Sequence, residues 1–235
     1  GFDQVFKKVG MEPTGDPFNS LMKLENTDSS PYNPMINAGA IVVASCLASE
    51  ISFDTMLDTI RALCMDPDIN LDKKVYHSEM SHISRNRAIA YLLESKGYIE
   101  KNKDVENSLH FYVKMCSLSV TAESLAGLGL ILANDGIHPD TGKRLLSSQA
   151  VKIVKTLMFT CGMYDGSGEF AVRVGIPSKS GVGGGILSVV DGEMGIGIFG
   201  PALDKKGNSV AGECVLEYMS HELHLHMFDP QRHTL

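Results

Sequence analysis

The chain has no apolar run long enough to cross a bilayer: its longest, such as AGAIVVASCLA at 38 to 48, fall well short of the roughly 20 residues that a spanning helix needs. The first residues lack the basic and apolar blocks of a secretory leader, so membrane association is not expected. Cysteine is sparse and shows no pairing pattern. Cys46, Cys64, Cys116, Cys161 and Cys214 are odd in number, scattered and without a C-x-x-C pair. That disfavours a disulfide framework and a structural zinc, favours a reducing, cytoplasmic setting, and reads as small buried hydrophobes. Positive charge is also short: 21 Lys and Arg stand against 28 Asp and Glu, a net −7 that argues against a nucleic-acid partner. Internal repeats and low-complexity tracts are absent.

What is present suits a soluble enzyme: 235 residues, 43% hydrophobic and 21% charged, enough for a substantial core. The apolar period is mostly helical from about 34 to 161, which predicts a helical layer over 1–162. It turns short-period and β-branched from about 169 to 200, so 163–235 is expected to add strands and a closing helix to the same catalytic domain. Phe53 to Cys64 carries apolar residues at helical spacing. Ser78 is a plausible cap for a helix running to Lys96, with Gly97 at its end, and Val105 to Cys116 reads as another. Thr121 caps a helix that Asn134-Asp135-Gly136 stops, and Ser147 or Ser148 caps the next, ending at Gly162. Phe170 to Ile176, Gly184 to Val190 and Met194 to Phe199 read as strands, the last two joined at Asp191-Gly192 as antiparallel neighbours. Asn208 or Ser209 then caps a final helix to about Met227, able to cover one face of the sheet.

The segment richest in chemistry is Lys179-Ser180-Gly181 within GIPSKSGVGGGILSVV. A Lys-[Ser/Thr]-Gly triplet on a strand is one wall of the site in penicillin-recognising serine enzymes, where the cation and hydroxyl face substrate and glycine permits close backbone approach. Adjacent side chains on a strand point to opposite faces, so Ser180 and Lys179 are not an attacking pair without a distortion. Tyr164, fifteen residues upstream of Lys179, is a candidate proton carrier, and such a phenol needs a nearby cation to lower its pKa. The Ser-x-x-Lys that supplies nucleophile and base in these enzymes has no convincing copy: Ser20-Leu-Met-Lys23 has the spacing, a pattern that arises easily by chance. The run Gly181 to Gly185 reads otherwise as a flexible strand or bulge, and a phosphate loop is disfavoured. His221, His224 and His226 lack the spacing of a zinc protease and read as a solvated helix end.

Taken together, VGMEPTGDPFNS (9 to 20), NPMINAGAIVVAS (33 to 45), SEMSHISRNRAIAYLL (78 to 93), FYVKMCSLSVTAESLAGLGLILANDG (111 to 136), CGMYDGSGEF (161 to 170) and GIPSKSGVGGGI (175 to 186) resemble the serine-dependent glutaminases, over nearly the whole chain. That resemblance implies an α+β fold of the β-lactamase class, an antiparallel sheet flanked by helices with a helical subdomain. It implies hydrolysis of L-glutamine through a serine acyl-enzyme, no cofactor or metal, and a homo-oligomer, dimer or tetramer. It also places the Ser-x-x-Lys about a dozen residues before Gly1, so the chain as numbered is expected to be truncated and inactive by itself.

The resemblance assigns the ammonium to Glu79, the rest of the amino-acid head to Asn33, Asn86 and Tyr112, proton transfer to Tyr164 with Lys179, and an oxyanion contact to the backbone N–H of Val182. The chemistry is sensible, because a zwitterionic amide needs an anion, several donors and an oxyanion hole. Glu79 and Asn86 stand at i and i+7, about 700° apart on a continuous helix and so on one face. Without the resemblance, Glu79 and Asn86 read as helix surface, Asn33 as a turn residue and Tyr112 as core. Two rivals remain at this level: a related hydrolase acting on β-lactams or peptides, which has no need of Glu79, and a non-catalytic interaction fragment.

Overall fold

The computed structural model describes residues 1–20, 30–101 and 104–232. They fall into two compact units, one made of 1–60 and 68–119, the other of 61–67 and 120–235. The chain passes from one unit to the other between Ile60 and Arg61, between Pro67 and Asp68, and between Ser119 and Val120.

In the first unit the elements are α1 (Phe2–Phe6), α2 (Asn37–Ala48), the start of α3 (Phe53–Cys64), β1 (Asn70–Leu71), α4 (Lys73–Ser81), α5 (Ser84–Ser95), α6 (Val105–Cys116) and β2 (Leu118–Ser119). The run AGAIVVASCLA is the buried helix α2, and its Ile41 packs with Ile89 and Leu93 of α5 and Leu109 of α6, all fully buried. Gly39 lets the preceding loop lie on α2, for a Cβ there would stand 2.0 Å from the Asn33 carbonyl. The Asp104 carboxylate caps α6, accepting from Asn107 N, and Arg87 clasps Glu106 with two hydrogen bonds of 2.8 and 3.0 Å. Strands β1 and β2 pair antiparallel, Asn70 opposite Ser119.

One expectation fails here. The helix drawn from Ser78 to Lys96 is two helices: Asp72, not Ser78, is the cap, accepting from Lys74 N and Val75 N, and the chain breaks at His82–Ile83. Ile83 is 3% exposed and joins the core, while the His82 ring turns back to the Ser78 carbonyl. Burying Ile83 re-phases the chain, so the continuous-helix argument for Glu79 and Asn86 does not hold.

The second unit holds α7 (Ala122–Ala133), α8 (Ser148–Cys161), a 3-10 turn (Tyr164–Gly166), α9 (Ser167–Arg173), β3 (Ser178–Ser180), β4 (Gly185–Val190), β5 (Met194–Phe199) and α10 (Val210–Glu222). Thr121 and Ser124 form a capping box on α7, Ser147 caps α8 and Ser209 caps α10. The sheet is antiparallel in the order β3-β4-β5, with Lys179 opposite Leu187 and Leu187 opposite Gly197. Against that face lies α7, brought to backbone contact by glycine: a Cβ on Gly197 would stand 1.8 Å from the Ala122 carbonyl. The other face, with Ile186 and Ile196, buries against Met163, Phe170, Val174 and Leu216.

Phe170 to Ile176 is not a strand. Phe170, Val172, Val174 and Ile176 alternate in sequence, but Phe170 and Val174 also satisfy the i, i+4 spacing of a helix, and Val172, 80% exposed, sits on the outer side of α9. Gly175, at φ +64°, ends that helix as glycine commonly does. The final helix stops at Glu222 rather than near Met227. Among the described residues no single helix is long and apolar enough to cross a membrane, and all five cysteines are free.

Candidate active site

In the second unit the end of α8 lies on the edge of β3. The Ser180 N–H donates to the Gly162 carbonyl at 3.1 Å, and a Cβ on Gly162 would stand 1.8 Å from the Ser178 carbonyl. This contact delivers the next residues, Met163 and Tyr164, beside the strand. Tyr164 sits at φ +54°, a left-handed conformation that is strained for a bulky side chain. Ser167 holds the strained turn from inside, accepting from Met163 N at 3.0 Å and donating to the Tyr164 carbonyl at 2.8 Å. The result is a direct pairing: Lys179 Nζ lies 4.3 Å from the centre of the Tyr164 ring. An ammonium there favours build-up of negative charge on the phenol and is attracted by the ring itself.

The triplet divides between the two faces of β3. Lys179 stands on the face of Leu187 and also donates to the Ser180 carbonyl. Ser180 is 2% exposed and points the opposite way, its Oγ donating to Asn208 Oδ1. Of the cation and hydroxyl expected to face substrate, the hydroxyl is committed to the interior. Beyond Gly181 the chain makes a tight turn, with Gly184 N–H donating to the Gly181 carbonyl at 2.9 Å. Val182 is the second residue of that turn. Its side chain is 54% exposed.

The first unit carries the other named residues. Asn33 is 1% exposed, and its amide donates to the distant Glu12 carbonyl at 2.8 Å and accepts from Met35 N in its own turn at 3.0 Å. Glu79 is exposed on α4, which is tied to α6 by a 2.6 Å hydrogen bond between Tyr76 and His110. Tyr112 is half-buried against the core of α2, α5 and α6. Asn86 is half-buried on α5, and Asn37 at the start of α2 donates to its Oδ1 at 2.9 Å, which directs the Asn86 N–H groups away as donors. Asn37 escapes the sequence reading because nothing in its local pattern marks a partner 49 positions away. Leu21 to Lys23 of the Ser20–Lys23 pattern lie outside the described residues.

The structure therefore brings Tyr164, Lys179 and the Val182 turn together in one unit and keeps Asn33, Glu79, Asn86 and Tyr112 in the other. Comparison with known proteins covers nearly the whole chain. The chain is 53% identical to a glutaminase of Fusobacterium nucleatum over 232 residues, covering 97% of this chain and 75% of that one. The crystal structure of a probable glutaminase from Bacillus subtilis superposes with a TM-score of 0.91 at 40% identity, covering 97% of this chain and 77% of that one. A second, of a Bacillus subtilis glutaminase in covalent complex with 5-oxo-L-norleucine, gives 0.84 at 37% identity, covering 96% and 74%. Both fit the α+β, β-lactamase-like fold seen here. With the sequence profile of the family described as Glutaminase matching residues 1–228, the chain belongs to the glutaminase family.

Proposed function

We propose that this protein hydrolyses the side-chain amide of L-glutamine to L-glutamate and ammonia through a serine acyl-enzyme. The observation that carries the reading is the Lys179 ammonium over the Tyr164 ring, on the strand that runs into the Gly181–Gly184 turn. Glu79 takes the α-ammonium, while Asn86, Asn33 and Tyr112 hold the rest of the head. Tyr164, with Lys179 beside it, relays the proton from a serine hydroxyl that attacks the carboxamide carbon. The Val182 N–H stabilises the oxyanion, ammonia leaves with the proton, and water releases glutamate. Support for covalent attack comes from the Bacillus subtilis relative, whose adduct formed by reaction with 6-diazo-5-oxo-L-norleucine, a diazo ketone of the same amino-acid skeleton. The free thiols suit a cytoplasmic setting, and a homo-oligomer, dimer or tetramer, completes the reading.

Kinetics of the enzyme and its variants test it. Tyr164→Phe is expected to lower kcat by about 100-fold or more, as removal of a proton carrier does, and Lys179→Ala to do the same, while Glu79→Gln chiefly raises the glutamine KM. Wild-type kcat in Tyr164→Phe together with wild-type KM in Glu79→Gln would refute the assignment. Turnover that Ser20→Ala abolishes would place the nucleophile at Ser20 instead.

A further inference from the structure

Asn208 and Ser209 both suit the cap of α10, yet Ser209 does that work alone, accepting from Gly212 N at 3.1 Å. The Asn208 side chain turns inward instead and is 1% exposed. Its Oδ1 accepts from Ser180 Oγ at 2.5 Å and its Nδ2 donates to the Met163 carbonyl at 3.3 Å. One buried amide thus holds two segments, and each partner is the immediate chain neighbour of a residue assigned to the chemistry. Ser180 follows Lys179, and Met163 precedes Tyr164.

The loop that delivers Asn208 is itself fixed. Asp204 Oδ1 accepts from the backbone N–H groups of Lys206 and Asn208 at 2.9 and 2.8 Å, and the Asp204 N–H returns a bond to the Asn208 carbonyl at 2.8 Å. Gly166 leaves room for the amide, since a Cβ there would stand 3.3 Å from Asn208 Nδ2. Such anchoring matters because Tyr164 occupies a conformation that its own backbone disfavours, and strained residues persist only where their surroundings over-determine them. Ser167 fixes the turn internally; the contact through Asn208 fixes the turn to β3.

We propose that Asn208 is a positioning residue for glutamine hydrolysis, its amide tying Ser180 to the Met163–Tyr164 peptide and so holding Tyr164 over Lys179. The inference rests on the roles given to Tyr164 and Lys179 above. It assigns a function to the triplet's hydroxyl as well: Ser180 acts from the buried face, as the donor that orients the amide, and does not touch substrate.

The test uses the enzyme with Ser180→Ala, Asn208→Ala, the double variant and Tyr164→Phe, measuring kcat per active site, titrated by the first-turnover burst, and KM for glutamine. Each clamp variant is expected to lose about 10- to 100-fold in kcat per site, the scale of a displaced reacting group. KM is expected to stay within about twofold, because head binding is untouched. The double variant is expected to be no worse than the poorer single one, since both substitutions break one bond. Per-site kcat within about threefold of wild type in the single variants, or losses that multiply in the double, would overturn the clamp. A rise in KM matching the fall in kcat would overturn it too. Should Asn208→Ala fail to fold, Ser180→Ala decides, for it deletes one oxygen. If Tyr164→Phe keeps full kcat, the underlying reading falls; if it loses kcat and Ser180→Ala does not, only the clamp falls.

Discussion

Burial at Cys64 pushes the thiol from its ordinary 9.0 up to about 11, and the nearby Asp66 carboxylate adds to the effect. The thiolate is the reactive form, so Cys64 is inert at neutral pH, whereas Cys116 and Cys214 are exposed. Iodoacetamide at pH 8 is expected to label Cys116 and Cys214 rapidly and to spare Cys64 until the protein unfolds, as read by peptide mass mapping; equal labelling of all three would contradict it. Because the folded value is raised, whatever stability the protonated thiol contributes is held below about pH 9 and lost as pH rises through 11. Reading cysteine as a small buried hydrophobe thus fits Cys64 and Cys161 and misses Cys116 and Cys214. The Lys179-Ser180-Gly181 triplet is legible because its residue types are rare in that order. The direction of the Ser180 hydroxyl depends on pairing with Ile186, and the left-handed Tyr164 on a turn built by Ser167, neither of which a local pattern contains.

At the scale of elements, glycine decides how closely layers approach. A Cβ on Gly197 would stand 1.8 Å from the Ala122 carbonyl, a backbone atom of α7 that cannot step aside, whereas one on Gly168 in α9 meets nothing within 4 Å. Gly197→Ala is therefore expected to destabilise by at least about 1–3 kcal/mol, the cost of overpacking. Gly168→Ala is expected to stabilise by about 0.4–1 kcal/mol by restricting the unfolded chain. Urea unfolding of the two variants checks both signs, and a destabilised Gly168→Ala would show that α9 is held by more than its own backbone. The helices α3, α6, α7 and α8 are readable from sequence to within a residue or two, the last two through a polar cap and a clear stop. The failures share a cause: in α9 two periods coincide on the same valines, and between α4 and α5 a buried Ile83 interrupts a helical pattern that runs through. In both, burial against the rest of a unit chooses between local readings of similar merit.

For the molecule as a whole, the balance of shifted carboxylates sets the acid limit. Arg87 holds Glu106 below the usual carboxylate range, the Ser148 hydroxyl and Arg144 do so for Asp135, Lys206 and Arg173 for Glu169, Arg173 for Glu217, and the Gln231 N–H for Asp229. A carboxylate lowered in the folded state contributes stability above its unfolded pKa, 3.8 for Asp and 4.5 for Glu, and that contribution is lost as pH falls through the lower, folded value. These groups are exposed or nearly so, so each contributes little and salt screens it. Glu213 runs the other way: burial on α10, reinforced by Asp204, raises its pKa, so its ionisation opposes folding as pH rises. The melting temperature is therefore expected to hold near neutrality and to fall below about pH 4.5, less steeply at high salt. Glu213→Gln separates the two effects, because it removes the desolvated charge and leaves the favourable pairs intact. It is expected to raise the melting temperature at pH 7 and to leave it unchanged at pH 3.5, where Glu213 is already protonated. A fall at pH 7 would mean that the ionised Glu213 is stabilised at the start of α10, where the helix N-terminus favours an anion, by more than burial costs it.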